Sequence, residues 1–467
     1  MRIYLDEEKL HYDIFELVRT FVPREEICFS GEEDLNLVIE YKNRKASLYK
    51  EDKKVELSVP YIEEEKLQRR AFKRAVLKLL EGYYKKTSPW GILTGIRPVK
   101  IVQELMDQKK DREEILERLT KEYSLSKEKA DLLYTIACRQ RPYLYPIKED
   151  SYSLYINIPF CPTRCDYCSF PTILYKKRDY RKDYIKTLLR EMEAMGKVLK
   201  DKKLETVYIG GGTPTSLEKE DLTVLLEGVK EDFGLPVEWT VEAGREDTLS
   251  QEVFFLLKEK GVTRISLNPQ SFHDKTLKKI GRVQNNDRLI RLYEEAKEIG
   301  FDCINMDFIL GLPGEGMEDL EYNLRKIKEL MPENLTIHTL SVKRGSKFME
   351  RQENLGGERD LIGDMLERVH RFIEESPYEP YYLYRQKQIL GNHENVGYAL
   401  PGKENLYNMY MMEERQTVIG LGMTSNSKIL YPNENRIENY RNYKNLRDYQ
   451  NKIDEIIEKK SRLVKGE

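Results

Sequence analysis

Cysteine is scarce in this sequence, with six among 467 residues. Long apolar runs are missing as well. None approaches the roughly 18–20 residues that a bilayer span requires, and the opening MRIYLDEEKL is charged from its start, without an apolar signal stretch. The expected compartment is therefore the cytoplasm, with no membrane partner. Thiols stay reduced there, so the few cysteines point to metal or redox chemistry rather than to cross-links. A surplus of either charge is also lacking. Lys and Arg total 79 against 81 for Asp and Glu, a balance that predicts no broad electrostatic grip on nucleic acid. Even the basic run KKRDYRK (176–182) reads as a solvated helix face. There is no sustained internal repeat and no low-complexity linker. The length exceeds what one ordinary core supports, so two or three domains are expected.

What is present is an alternation. SLYINIPF (153–160), ETVYIGG (205–211), EWTVEAG (238–244), RISLNPQ (264–270), CINMDFILG (303–311) and NLTIHTLSV (334–342) read as six strands. Each but the last is followed by a helical stretch, the first of them over about 178–199. Strands alternating with helices predict parallel βα units and an α/β fold, a partial or full barrel. Chemistry in such folds gathers at the C-terminal ends of the strands. Cys161 to Cys168, Gly210 to Thr213, Glu242, Gln270 and Asp307 all fall there.

Residues 1–150 read as a separate α+β region, with strands near 34–40 and 45–49, charged helices, and SPWGILTGIRP (88–98). The expected domains are thus 1–150, a barrel over 151–345, and a C-terminal region over 346–467. That last region has a helical stretch to about 376, then EPYYLYRQK (379–387), GNHENVGY and GLGMTSNSK. A polar tail of about 37 residues follows, expected to be helical.

Three of the six cysteines lie in one octapeptide, CPTRCDYC (161–168). Structural zinc sites ordinarily close with four protein ligands. None of the five histidines (11, 273, 338, 370 and 393) lies in this loop, although a distant one could reach it. The other reading is a four-iron, four-sulfide cluster (4Fe-4S) held by three thiolates, with its fourth iron open to an exogenous ligand. CxxxCxxC after an apolar strand, opening a βα barrel and followed by GGGTPT (210–215), resembles the radical S-adenosylmethionine superfamily. Cys161, Cys165 and Cys168 match its cluster ligands. The resemblance implies that S-adenosylmethionine chelates the open iron and is split to a 5′-deoxyadenosyl radical, while the protein supplies ligation, orientation and exclusion of water. Cys28, Cys138 and Cys303 have no such context and read as apolar core cysteines.

YINIPFCPTRCDYC, GGGTPT, VEAGR, NPQSF, GRVQ and MDFILGLPG together resemble the oxygen-independent coproporphyrinogen III dehydrogenase family. The extension with TGIRP and the segments PYYLYRQK and ENVGY are similar to its HemZ-type branch. This implies a partial (β/α)6 TIM-like barrel. It also carries a set of cofactor contacts onto the chain: Tyr155, Tyr167, Gly211, Gly212, Thr213, Glu242, Gln270, Arg282 and Asp307, with Ser341 and Asn426 in less similar surroundings. Tyr155 and Arg282 are the catalytic candidates, Arg282 being suited to a carboxylate through its bidentate fork. Taken singly, Glu242 or Asp307 is an ordinary capping or paired acid, Tyr155 a core residue and Arg282 a surface ion pair. Their common position at strand ends, or just beyond one for Arg282, favours the site.

The implied reaction is oxidative decarboxylation of two propionates of coproporphyrinogen III, giving the vinyl groups of protoporphyrinogen IX in haem synthesis. The implied cofactors are the cluster and S-adenosylmethionine, one molecule or two. The implied partners are a tetrapyrrole substrate and an electron donor such as flavodoxin or ferredoxin. Phe170 stands where the best-known branch has a further cysteine. Two alternatives share the scaffold. One is a haem chaperone, whose HNxxY motif reads YNMY here (407–410), with Tyr407 in place of the histidine. The other is a haem methyltransferase or ring-opening enzyme using two S-adenosylmethionine molecules.

Overall fold

Apolar, β-branched runs such as SLYINI and TVYIG cannot expose both faces to water, and each is followed by a helix with one apolar stripe. Parallel strands covered by helices satisfy both. A computed structural model of the chain has that arrangement and describes residues 1–31, 33–343, 345–351, 358–386, 392–434 and 436–466. The chain divides into two compact units, residues 1–139 with 384–393, and residues 140–383 with 394–467.

The first unit is α+β. Strands β1 (Arg2–Leu5), β2 (Leu35–Glu40), β3 (Lys45–Lys50) and β4 (Lys53–Ser58) form a sheet in sequence order. β1 is parallel to β2, and the remaining pairs are antiparallel. Helices α1 (His11–Val18), α2 (Glu65–Tyr84), α3 (Val99–Asp107), α4 (Arg112–Lys121) and α5 (Lys127–Leu144) accompany it. Phe72, Val76 and Leu80 of α2 recur at helical spacing and are fully buried. A capping box of Asp111 and Glu114 starts α4. Two segments singled out in the sequence meet here. Arg385 donates its backbone N–H to Ile96 O (2.8 Å), and its guanidinium lies 4.6 Å over the Trp90 ring.

In the second unit β5 (Ser151–Ile158) is followed by the two-residue strands β6 (Phe160–Cys161) and β7 (Ile173–Leu174), then α6 (Arg181–Leu199), β8 (Lys203–Gly211), α7 (Lys219–Phe233), β9 (Glu238–Glu242) and α8 (Gln251–Glu259). Next come β10 (Arg264–Ser266), α9 (Asp274–Lys279), α10 (Asn286–Ile299), β11 (Cys303–Leu310), α11 (Met317–Leu330) and β12 (Asn334–Thr339). Strands β5, β8, β9, β10, β11 and β12 are neighbours in that order, all parallel, which is the expected six-fold βα repeat. The remainder comprises α12 (Lys347–Glu350), α13 (Glu358–Glu374), β13 (Glu379–Tyr384), β14 (Asn395–Ala399), α14 (Leu406–Glu413), β15 (Thr417–Leu421), β16 (Asn426–Tyr431), β17 (Arg436–Arg441), α15 (Leu446–Asn451) and α16 (Ile453–Lys465). Of the helical stretch expected before 376, residues 352–357 lie outside the described residues, as do Lys387 and Gly391 at the edges of the two Tyr- and Gly-rich segments.

The eleven-stranded sheet differs from the expectation at its edges. TVIGL, which makes up β15, pairs in parallel with β5 and continues the barrel wall. The polar tail is not wholly helical, because Arg436–Arg441 forms β17, antiparallel to β16. Its charged and amide side chains suit an edge strand that keeps one face in water, and a helical pattern is not needed to explain them. No helix among the described residues is long and apolar enough to cross a membrane.

The tail is held by a buried cation. Lys460 on α16 is 1% exposed and pairs with Glu191 of α6, which is fully buried. Glu191 also accepts from Gly422 N (2.8 Å), Asn442 Nδ2 (2.8 Å) and Tyr449 Oη (2.7 Å). Burial pushes the Lys460 ammonium down, and the Glu191 carboxylate opposes this. Lys460→Met leaves that carboxylate buried without its counter-charge. The expected loss is about 3–5 kcal/mol in chemical denaturation, and adding Glu191→Gln to the same chain should recover part of it.

Candidate functional site

β5 runs out at Ile158, and the chain then turns into the cysteine loop, whose two ends are joined by the short parallel pair β6 and β7. The Gly-rich end of β8 packs directly on this turn. Gly212 donates to Ile158 O (2.8 Å) and Thr213 to Phe160 O (2.8 Å). A Cβ on residue 212 would meet Phe160 O at 2.6 Å, and Gly211 has φ +108°, so both positions need glycine. Thr213 Oγ1 consequently lies 3.3 Å from Cys161 Sγ. Burial pushes the Cys161 thiol up to about 11, with Cys168 and Cys165 adding to it and Thr213 and Arg245 opposing. The Cys168 thiol is pushed up by burial and by Cys165. Such crowded thiols are better served by a cationic centre than by protons.

Among the described residues no three His, Cys, Asp or Glu side chains converge as a single ion requires. A tetrahedral zinc, with Zn–S near 2.3 Å, needs its sulfurs only about 3.8 Å apart. A cubane places each thiolate on a different iron and does not need that convergence.

Around Cys165 the structure gathers positive charge. Arg282 Nη1 lies 3.9 Å and Arg245 Nη1 3.8 Å from its Sγ. Arg245 was not picked out by the sequence reading, although it closes the quoted VEAGR. It is 5% exposed and oriented by Asp247 through Nε (2.9 Å) and Nη2 (2.8 Å). Arg282 lies in the same group, engaged by several partners. Its Nη2 donates to Gly244 O and Asn268 O (2.6 Å each) and its Nε to Gln284 Oε1 (2.8 Å). Nη1 faces Cys165 and the Tyr167 hydroxyl (3.5 Å). The fork is thus taken up by the protein's own carbonyls. Asp166 was also missed, because one acid between cysteines carries no pattern. It is buried, accepts from Lys347 Nζ (2.7 Å) and Arg351 Nη1 (2.9 Å), and donates its N–H to Ile280 O (2.9 Å), fixing the loop against α9 and α12.

The acids face the barrel interior. Glu242, at the end of β9, accepts from Tyr208 Oη (2.7 Å) and Gly211 N (3.1 Å). Burial pushes its carboxyl up to about 7, and Asp307 adds to this while the two donors oppose it. Burial alone would raise Asp307 also. His338 Nε2 at 3.6 Å and Asn305 Nδ2 at 2.8 Å outweigh burial and hold it below the ordinary carboxylate range. Tyr155 donates to Asn157 Oδ1 (3.3 Å) and stacks with Tyr208 (6.3 Å between centroids) and Tyr407 (6.2 Å). Tyr407 is 6% exposed and 4.7 Å from Tyr208. It comes from α14, whose first turn is held by Glu238 at the start of β9, through Leu406 N (2.9 Å) and Tyr407 N (3.1 Å).

Gln270 adopts φ +65° as its backbone bridges to β11, donating to Asp307 O (2.9 Å). A glutamine in this conformation is locally strained, a feature that clusters at functional sites. The Ser341 hydroxyl and Asn268 Oδ1 are buried with no hydrogen-bond partner among the described residues. Asn426 is not brought to the group. Its amide donates to Asn439 on β17 (3.2 Å). Phe170 is 60% exposed.

Three crowded thiols, a glycine cradle that a side chain would block, two orphaned polar atoms and two inward acids suit an iron–sulfur cluster with a polar, amino-acid-bearing nucleoside beside it. A family model, the radical SAM superfamily, matches residues 155–327. The oxygen-independent coproporphyrinogen-III oxidase-like protein HemZ of Bacillus subtilis is 36% identical, over 98% of this chain and 96% of its own length. The chain belongs to this radical SAM family of coproporphyrinogen-III oxidase-like proteins, whose cofactors are a 4Fe-4S cluster and S-adenosylmethionine. The haem chaperone HemW of Escherichia coli is 29% identical over 61% of this chain and 72% of its own. Coproporphyrinogen III oxidase (HemN) from Escherichia coli has the same fold, with a TM-score of 0.56 over 69% of this chain and 73% of that one at 22% identity.

Since burial raises the Glu242 pKa from the ordinary 4.5 to about 7, folding becomes costlier as pH rises between those values and stays so above them. Glu242→Gln removes the ionisation. Urea denaturation at pH 5 and pH 7.5 should show the variant losing about 2–3 kcal/mol less stability than the parent across that interval.

Proposed function

We propose that this chain carries out oxidative decarboxylation of coproporphyrinogen III, converting two propionates to vinyl groups. The observation that carries this reading is the meeting, at one end of the parallel strands, of the three-thiol loop with the Gly211–Thr213 turn, Glu242 and Asp307. Cys161, Cys165 and Cys168 would hold the cluster. Gly211, Gly212, Thr213, Glu242, Gln270, Asp307 and the orphaned Ser341 hydroxyl would hold S-adenosylmethionine, with Tyr167 packed beside it. When bound, the reduced cluster and S-adenosylmethionine together supply a carbon radical able to take a hydrogen atom from an unactivated C–H bond.

The chain's own contribution is binding, orientation and dryness. Glu242 can accept from ribose hydroxyls or an ammonium, and its raised pKa reflects the dry surroundings that such bonds require. Arg245 and Arg282, each with an N–H donor beside the Cys165 sulfur, would offset the negative charge of a cluster held there. Tyr155, Tyr208 and Tyr407 wall the barrel interior with aromatic surface. For each propionate, a hydrogen atom of the β-carbon would pass to that radical, and carbon dioxide would then leave as one electron passes to an external one-electron acceptor, giving the vinyl group. The first electron would come from a flavodoxin- or ferredoxin-type donor.

The haem-chaperone reading draws on the HemW relatives. Against it, Tyr407 is buried in an aromatic stack and its first turn is held by Glu238, a poor setting for an axial ligand. Anaerobic incubation of the reconstituted protein with coproporphyrinogen III, S-adenosylmethionine and a reductant should give 5′-deoxyadenosine and products lighter by one and then two formic acid equivalents. Cys165→Ala should abolish both products and lower the iron content. Nucleoside release without porphyrinogen consumption rejects the substrate. A stable haem complex without turnover favours the chaperone, and S-adenosylhomocysteine among the products favours the methyltransferase class.

Arg245→Met removes a positive charge and an N–H donor beside Cys165. The reduced cluster is the more negative form, so its midpoint potential should fall by tens of millivolts in a titration followed by electron paramagnetic resonance. An unchanged potential would remove Arg245 from the cluster's surroundings.

A further inference from the structure

The first unit has a charged cavity that the barrel chemistry does not use. Lys66, Arg69, Arg70 and Lys73 recur on α2 at the i, i+3, i+4, i+7 spacing that puts side chains on one helix face. They line a cavity of about 240 Å³ together with Asp13 of α1, and Ile92, Leu93 and Tyr123 form its remaining wall.

Charge in this cavity is not balanced. Arg69 Nη2 donates to Asp13 Oδ2 (2.8 Å) and to Lys9 O (3.3 Å). Arg70 Nη1 donates to Glu122 Oε2 (2.7 Å), and its guanidinium lies 4.3 Å over the Tyr123 ring. Two acids therefore face four cations, leaving two positive charges over. One of them is Lys73, whose side chain is 13% exposed and whose only counter-charge among the described residues is Asp13 at 4.0 Å, beyond hydrogen-bonding range. Burial pushes its ammonium down, Asp13 opposes, and Arg69 and Arg70 add to the depression. Arg69 Nε is buried without a hydrogen-bond partner among the described residues. Buried cationic donors left in this state are costly unless an anion completes them.

We infer that this cavity is a binding site for a phosphate group, free or carried on a small phosphoester. Two uncompensated charges match a dianion, and a lysine ammonium with a guanidinium edge is a donor set suited to tetrahedral oxyanions. The volume lies below the roughly 300–1,000 Å³ of drug-sized ligand pockets, so the site takes the anionic group itself and not a macrocycle. The apolar wall of Ile92 and Leu93 keeps the anion from sharing its donors with water.

Isothermal titration of the full-length protein at constant ionic strength tests this with three probes: inorganic phosphate, adenosine monophosphate and acetate. Phosphate is expected to bind in the millimolar range or tighter, acetate much more weakly. Lys73→Met should weaken phosphate binding about tenfold or more, and Lys66→Ala, at an exposed position, should weaken it less. Phosphate should raise the melting temperature of the parent chain and not that of Lys73→Met, a comparison that also shows whether the variant is folded. Tighter binding of the monophosphate than of phosphate assigns the site to a phosphoester, and the reverse assigns it to the free ion. Absence of phosphate binding overturns the inference, as does equal affinity for acetate or unchanged affinity in a folded Lys73→Met chain.

Discussion

Two stretches of backbone lie against each other where β5 ends and β8 runs out, and the mouth of the barrel is built on that approach. Hydrogen bonds from Gly212 to Ile158 O and from Thr213 to Phe160 O leave no room for a Cβ at residue 212. They bring the first cysteine of the loop within reach of Thr213, and they aim the Gly211 amide at Glu242. The β6–β7 pair then returns the loop to its starting point, and Asp166 ties its middle to α9 and α12. The thiols are therefore presented by backbone geometry, whereas their own side chains contribute little to holding the loop.

On this frame charge is sorted by place. Thiols and guanidiniums share the loop, where Arg245 and Arg282 both reach toward Cys165. Carboxyls lie on β9 and β11, with opposite outcomes. Glu242 has a neutral phenol and an amide for company and is raised to about 7, whereas Asp307 has a histidine and an asparagine amide and is depressed. Two acids at neighbouring strand ends thus shift in opposite directions because their hydrogen-bond donors differ. Beside them, Tyr155, Tyr208 and Tyr407 stack, and Glu238 holds the first turn of α14 by accepting from two consecutive amides.

The barrel strands were legible because each is a short apolar run bounded by helix signals, and a buried parallel strand needs little else. The cysteine loop was legible because three thiols at fixed spacing on one short loop carry a ligation pattern by themselves. The residues that were missed lack any such pattern. Arg245 and Asp166 act through partners 80 and 181 residues away in the chain, Cys165 and Lys347. TVIGL carries no motif and gains its role only by pairing with β5, and the polar tail concealed an edge strand whose partner, β16, is itself unremarkable in sequence.

By itself, then, the order of residues determined the α/β class, the positions of the six repeating strands, the three-thiol loop and the glycines that must sit beside it, because each depends on chemistry within a few neighbouring residues. Only the tertiary structure decided which side chains share a field: Arg282 engaged by carbonyls, Asn426 directed to a surface hairpin, Tyr407 drawn into the barrel interior, and a row of cations on α2 set around a cavity. Electrostatic and hydrogen-bond partnerships act through space at a few ångströms, and sequence separation carries almost no information about that distance.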